Sequence, residues 1–204
     1  MKTVYKLSLH DFNTGNKNWV ANVKTILDNQ GLSYIFNTAE SANLKVIPNL
    51  LKQTLIDTFK QNWFSVLERS PVLSLYRHIK SDLHYETYLD IIPNNLRFFI
   101  SRYRISAHSL RIQTGRYARN RLDRHLRICQ LCDNGDIEDE FHFIFVCRIY
   151  NDIRKKYIKK SAYIRPSVFK LVQLFQTSDR SSLVNLSLFL KKAISLRTSL
   201  LNRS

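Results

Sequence analysis

The chain has 204 residues, 44% of them hydrophobic, and carries 32 Lys and Arg against 16 Asp and Glu, a formal net charge of +16. That length buries a core as one domain or two small ones, and the apolar content excludes wholesale disorder. Only four Gly and four Pro disfavour a turn-rich all-β fold, while a field of this sign and size points to polyanions: RNA, DNA or an anionic membrane surface.

In chain order the pattern is mostly helical. Residues 16–30 place Trp19, Val20, Val23, Ile26 and Leu27 on one face, with Gly31 as the stop. Pro48 opens a second helix over 48–69, whose apolar positions Leu51, Leu55, Ile56, Phe59, Trp63, Val66 and Leu67 keep the helical period. Short helices are predicted at 72–79 and 85–91, and a longer one at 96–106 with Phe98, Phe99 and Tyr103 as core. Residues 109–113 alternate like a short strand, and Gly115 marks a turn. One helix or two in succession is predicted over 139–160, acidic at its start and basic at its end, as the helix dipole favours. A helix over 166–176 follows. The last, running to about residue 202, is capped by Ser181 or Ser182 and buries Leu183, Leu186, Leu190, Ile194 and Leu201. The fold class is therefore mainly α: a bundle-like helical unit over 1–107, a small knuckle with a short β element over 108–160, and a basic helical tail over 161–204.

The knuckle is Cys129-x2-Cys132-x9-His142-x4-Cys147, and it holds every cysteine of the chain. Three thiolates and one imidazole make the tetrahedral, soft donor set that Zn2+ prefers. Asp133, Asn134 and Gly135 suit the tight turn after the close pair. Four protein ligands leave no open position, so the spacing predicts one structural zinc, not a catalytic one. The plain alternative is that the cysteines are small buried hydrophobes and His142 a core histidine between Phe141 and Phe143. His108 and His125 are other candidate ligands; the spacing of His142 to Cys147 closes the knuckle better. An odd cysteine count argues against disulfides. The N-terminus lacks an apolar core of signal-peptide length and no apolar run spans a bilayer, so the expectation is an intracellular protein of nucleus or cytoplasm, neither secreted nor membrane-bound.

Charge is unevenly spread. Residues 101–127 carry eight Arg and one Asp, residues 128–147 carry five acidic side chains and no Lys or Arg, and residues 148–204 carry 13 basic and two acidic ones. Two basic segments thus flank an acidic knuckle. Basic residues interleaved with aromatics suit phosphate pairing and base stacking. The candidate contacts are Arg102, Arg104, Arg116, Tyr117, Arg119, Arg121, Arg124, Arg127, Arg154, Lys155 and Lys156. Tyr103, Tyr150 and Tyr157 fit a helix core equally well. Glu138, Asp139 and Glu140 read as charges at a helix start, pairing with a preceding arginine, in preference to a catalytic carboxylate set.

Residues 101–154 also carry a pattern: Arg102-x-Arg104, His108, Gly115-Arg116-Tyr117, Arg127-x-Cys129-x2-Cys132, then Glu138-Asp139-Glu140-x-His142-Phe143-x3-Cys147-x2-Tyr150-x3-Arg154. It resembles the zinc-binding region behind the polymerase domain of non-LTR (LINE-like) retrotransposon reverse transcriptases. Trp19, Ile26-Leu27, Gly31-Leu32, Asp57-x3-Gln61-x-Trp63, Ser70-Pro71 and Leu75-Tyr76 resemble the helical stretch before that region, so the resemblance covers most of residues 15–157. Two departures stand out. Arg148 follows the last cysteine where the family often has proline, and no Asp-Asp pair occurs, although polymerase chemistry needs clustered carboxylates on two metals. The resemblance therefore implies a non-catalytic C-terminal part of such an element. It would bind template RNA or target DNA and act beside a retroelement polymerase polypeptide, or be a relic of one. A scaffold that docks a protein partner through its amphipathic helices is the rival expectation.

Overall fold

The structure is a computed structural model that describes residues 2–37 and 46–203. It divides into two compact units, Met1–Val66 and Leu67–Ser204. The first holds α1 (Lys2–Asn13), α2 (Trp19–Asn29), α3 (Ser33–Asn37) and most of α4 (Ile47–Arg69). The Asn18 side chain caps α2 by accepting from the Val20 N–H at 2.9 Å. Gly31, at φ +69°, ends it: the Leu32 N–H turns back to the Leu27 carbonyl at 2.8 Å. A small core of Leu27, Leu32 and Ile35 forms under Phe36, Ile47 and Leu51. The apolar faces expected of α2 and α4 are buried only in part. Trp19, Val23 and Ile26 are exposed beside buried Val20 and Leu27, and Leu67 is the buried residue of α4. Helix α1 had no counterpart in the sequence reading.

The second unit holds α5 (Ser74–Ile79), α6 (Tyr88–Ile91), α7 (Asn94–Arg104), α8 (Arg111–Tyr117), α9 (Asn151–Tyr157), α10 (Lys160–Tyr163), α11 (Val168–Gln176) and α12 (Arg180–Leu201). One core runs through it from Leu75 to Ala193. The chain therefore thins out at 66/67, whereas the expected boundaries at 107/108 and 160/161 both lie inside a shared core. Helix α12 is central, packed against α7 and α9 and burying Leu183, Leu186, Phe189, Leu190 and Ala193. The Phe143 ring joins knuckle to helices, with Tyr103 of α7 at 5.5 Å, Tyr150 at 4.6 Å and Phe189 of α12 at 6.0 Å between centroids. Burying one such ring contributes roughly 1.5–3 kcal/mol.

The fold is mainly α, with three local departures from expectation. Residues 109–113 form no strand; α8 starts at Arg111 after extended Leu110. The alternation reflects Leu110 and Ile112 entering the core on either side of the helix start. Among the described residues the β content is one isolated antiparallel bridge, Ile128 to Ile137. The stretch 139–160 is broken into a π-helical turn (His142–Val146), a 3-10 turn (Arg148–Tyr150), α9 and α10. The break falls at Cys147, whose ψ of 121° leaves the helical region. Asp179, not Ser181 or Ser182, caps α12, accepting from the Ser182 N–H at 2.9 Å. No helix among the described residues is long and apolar enough to cross a membrane.

Candidate metal centre

The two halves of the centre come from different backbone shapes. Cys129 and Cys132 sit on the turn closed by the Ile128–Ile137 bridge, where the Cys129 N–H donates to the Asp136 carbonyl at 2.9 Å and the Glu138 N–H to the Arg127 carbonyl at 2.9 Å. Gly135, at φ +72°, supplies the left-handed residue that this turn needs. His142 opens the π-helical turn and Cys147 closes it, tied by the Cys147 N–H to the His142 carbonyl at 2.8 Å. Asp139 caps this turn, its Oδ1 accepting from the His142 N–H at 2.9 Å.

The three sulfurs and the imidazole converge. Their donor atoms all lie within 4.8 Å of one another, all four residues are buried, and Cys132 Sγ is 3.3 Å from His142 Nε2. A tetrahedral ion with ligand bonds of about 2.0–2.3 Å places its donors roughly 3.5–3.8 Å apart, so the cluster fits one metal ion with little movement. The other ring nitrogen, Nδ1, is buried without a hydrogen bond, and Asp136 Oδ2 lies 3.4 Å from it. A carboxylate on that side favours the proton on Nδ1, which leaves Nε2 free to ligate. Hydrogen bonding by Cys147 pushes the Cys129 thiol far down. Cys147 is correspondingly pushed up, and burial raises Cys132. Burial opposes a charge on His142, but the Cys129 thiolate outweighs it and the net direction is up. Three sulfurs this close resist carrying charge together, and a cation among them relieves that.

Around the centre, the acidic run is internal scaffold. Glu138 is 1% exposed and accepts from Arg197 Nε and a terminal Arg197 nitrogen, each at 2.7 Å. It also satisfies the start of α8: its Oε2 accepts from the Arg111 N–H at 2.7 Å and its carbonyl from the Ile112 N–H at 3.1 Å. Burial works against the Arg197 charge, yet the Glu138 carboxylate prevails and holds the guanidinium above its ordinary range. Glu140 accepts from Ser106 Oγ at 2.7 Å and contacts His108 Nε2 at 2.8 Å. Burial raises Glu140, but the His108 and Ser106 contacts outweigh it and the net direction is down. His108 is thus a partner of Glu140, and His125 stands outside the metal cluster.

The predicted polyanion contacts divide into two sets. Arg104, Arg127 and Arg154 are buried and face the protein, which corrects the expectation that they reach phosphates. Arg104 donates to the Phe175 carbonyl and to Glu86, each at 2.7 Å. Arg154 brackets the last ligand, donating to the carbonyls of Ile144 and Cys147, each at 2.7 Å. Arg127 donates to the Leu122 carbonyl at 2.7 and 3.0 Å and to the Ile112 carbonyl at 3.1 Å. It staples a loop, residues 118–126, on which Arg119, Arg121 and Arg124 are exposed. Arg119 and Arg121 make no hydrogen bond or ion pair among the described residues, and Arg124 has a loose one, 3.9 Å from Asp139. Arg102 is exposed on α7 and donates to the Ala107 carbonyl. Half-buried Arg116 donates to the Pro71 carbonyl at 2.7 Å, and Tyr117 is exposed. Lys155 and Lys156 are exposed on the last turn of α9, Lys156 over the Tyr157 ring. Tyr103 and Tyr150 are core; Tyr157 is half-buried.

Compared with models of protein families, with curated proteins and with solved structures, the chain matches none. The centre stands on its own geometry: a buried Cys3His cluster that can hold one metal ion. Arg197 and Ser106 join this scaffold without being expected from the sequence. Arg197 had a signal, because it extends the 3-4 spacing of the buried stripe Leu183, Leu186, Leu190 and Ala193, and a cation on an apolar stripe needs a buried anion.

Proposed function

We propose that this chain is a zinc-stabilised, non-enzymatic module that binds RNA or DNA with little sequence preference. Cys129, Cys132, His142 and Cys147 hold one structural Zn2+, since thiolate and imidazole donors in a closed tetrahedral set favour that ion. The observation that carries the binding reading is the arginine loop: Arg119, Arg121 and Arg124 stay exposed and nearly unpaired while Arg127 fixes the loop two residues before the first ligand. Folding the knuckle therefore positions the loop. The resemblance to retrotransposon reverse transcriptases supports the same reading, with template RNA or target DNA as the polyanion.

The test is the salt dependence of binding to single-stranded RNA. Each single-strand phosphate contact contributes about 0.7 to the slope of log affinity against log salt. Replacing Arg119, Arg121 and Arg124 together by alanine is expected to lower that slope by roughly 2 and to weaken binding to all sequences alike. An unchanged slope rules the loop out. A second reading, docking of a protein partner, is favoured by α4, which leaves Leu50, Leu55, Ile56, Phe59, Phe64 and Val66 exposed. Its mark is association insensitive to salt.

A further inference from the structure

Where α8 ends and the arginine loop begins lies an open hollow of about 460 Å3. Val72, Ile105, Ala107 and Ala118 give it mainly apolar walls, and Gln113 and Tyr117 add two polar ends. Gln113 and Tyr117 are four residues apart on α8, so they share one helix face. Gln113 is 5% exposed, yet its Oε1 has no hydrogen-bond partner, an uncommon state for a buried amide. Tyr117 is 76% exposed and presents an aromatic face to solvent. Of the hollow's other polar walls, Ser106 and His108 are already bonded to Glu140, and the Thr114 hydroxyl donates to the Leu110 carbonyl at 3.4 Å. Arg119 follows its wall residue Ala118 directly and Arg121 comes two residues later, so the arginine loop leaves from the rim of the hollow.

We propose that this hollow takes one unpaired adenine of a single-stranded nucleic acid, stacked on Tyr117 and read by the Gln113 carboxamide. A glutamine amide matches adenine on both sides, its oxygen accepting from N6 and its nitrogen donating to N7; the Gln113 oxygen is closed to solvent, so rotation about the broad terminal torsion of the side chain brings it to the opening as the base enters. Stacking on an exposed tyrosine suits unpaired bases and is tolerant of sequence, so the amide sets the preference. This inference rests on the nucleic-acid reading above and adds a base-reading point to a module otherwise held by phosphates.

The test uses the full chain loaded with zinc and short fluorescent strands of oligo(A), oligo(U) and an abasic backbone, in ribo and deoxy series run in parallel. Wild type is expected to prefer oligo(A) to oligo(U), and both to the abasic strand. Tyr117→Ala is expected to weaken oligo(A) binding on the order of tenfold and to leave the abasic strand unaffected. Gln113→Leu is expected to abolish the preference for oligo(A) over oligo(U). Zinc content checks that both variants fold, and Tyr117, being exposed, keeps the test open if Gln113→Leu does not. Equal binding of all three strands with steep salt dependence overturns the hollow and leaves the phosphate-binding reading intact. No binding of any strand at low salt overturns both.

Discussion

Arg197 and Glu138 form a buried ion pair on which much of the second unit rests. Both are buried, and the carboxylate also completes the start of α8. Removing one partner of a buried pair leaves an uncompensated charge and costs about 3–5 kcal/mol, whereas replacing both by apolar groups is often neutral. Arg197→Met is therefore expected to destabilise the second unit by that amount in urea denaturation, and Arg197→Met with Glu138→Leu to recover part of it, since the second change also takes the acceptor from the Arg111 N–H. A single variant that loses under about 1 kcal/mol would show the pair to be dispensable. The Cys3His cluster was legible in the sequence because its four residues lie at short spacings that bring them together. The pair was not: Glu138 and Arg197 are 59 residues apart, and helical periodicity marks Arg197 as buried without naming its partner. The same limit explains Arg104, Arg127 and Arg154. Each read as a surface cation, and each instead donates to backbone carbonyls inside the second unit.

At the scale of elements, α8 is where sequence pattern misled. Five alternating residues look like a strand, but Glu138 supplies partners for the first two helical N–H groups and settles the segment as a helix. Gly115 then lies within that helix, not at a turn, and a Cβ there would stand 2.9 Å from Arg127 Cγ. Helix propensity alone gives Gly→Ala about 1 kcal/mol of gain, while overpacking costs typically 1–3 kcal/mol. Gly115→Ala is thus expected to lower stability by about 1 kcal/mol and to loosen the arginine loop, read as faster amide exchange over residues 118–126. A stabilised variant would mean that Arg127 moves aside freely. Helix α12 offers a second check. Asp179 accepts from the Ser182 N–H and hydroxyl, and its carboxyl is held below the usual range by those bonds. Asp179→Ala is expected to lower the midpoint of thermal or urea unfolding by removing this cap, and an unchanged midpoint would show the cap to be idle. The break at Cys147 was beyond the pattern for another reason: a helical period continues through it, and the placing of Cys147 in the buried cluster overrides propensity.

For the whole molecule, the positive charge divides into cations that build the second unit and cations that face outward. The mainly helical class was legible from periodicity and scarce glycine. The boundary at 66/67 was not, because the helix that carries it, α4, runs across it without a break. Since the larger core lies wholly within residues 67–204, that fragment alone is expected to melt cooperatively and to keep the metal. Circular dichroism and metal analysis of the fragment check this; a molten fragment would make the first unit part of the fold of the second. Chelation is expected to unfold the knuckle and loosen the core around Phe143, because ligand and core residues alternate there. The most direct measurement is the zinc content of the purified chain after exhaustive dialysis, beside a Cys129→Ser/Cys132→Ser double variant. About one zinc per chain in the wild type, absent from the variant along with its cooperative melting, is what a closed structural site requires. A wild type that is folded, cooperative and free of zinc would contradict it and reduce the cluster to four buried side chains packed as core.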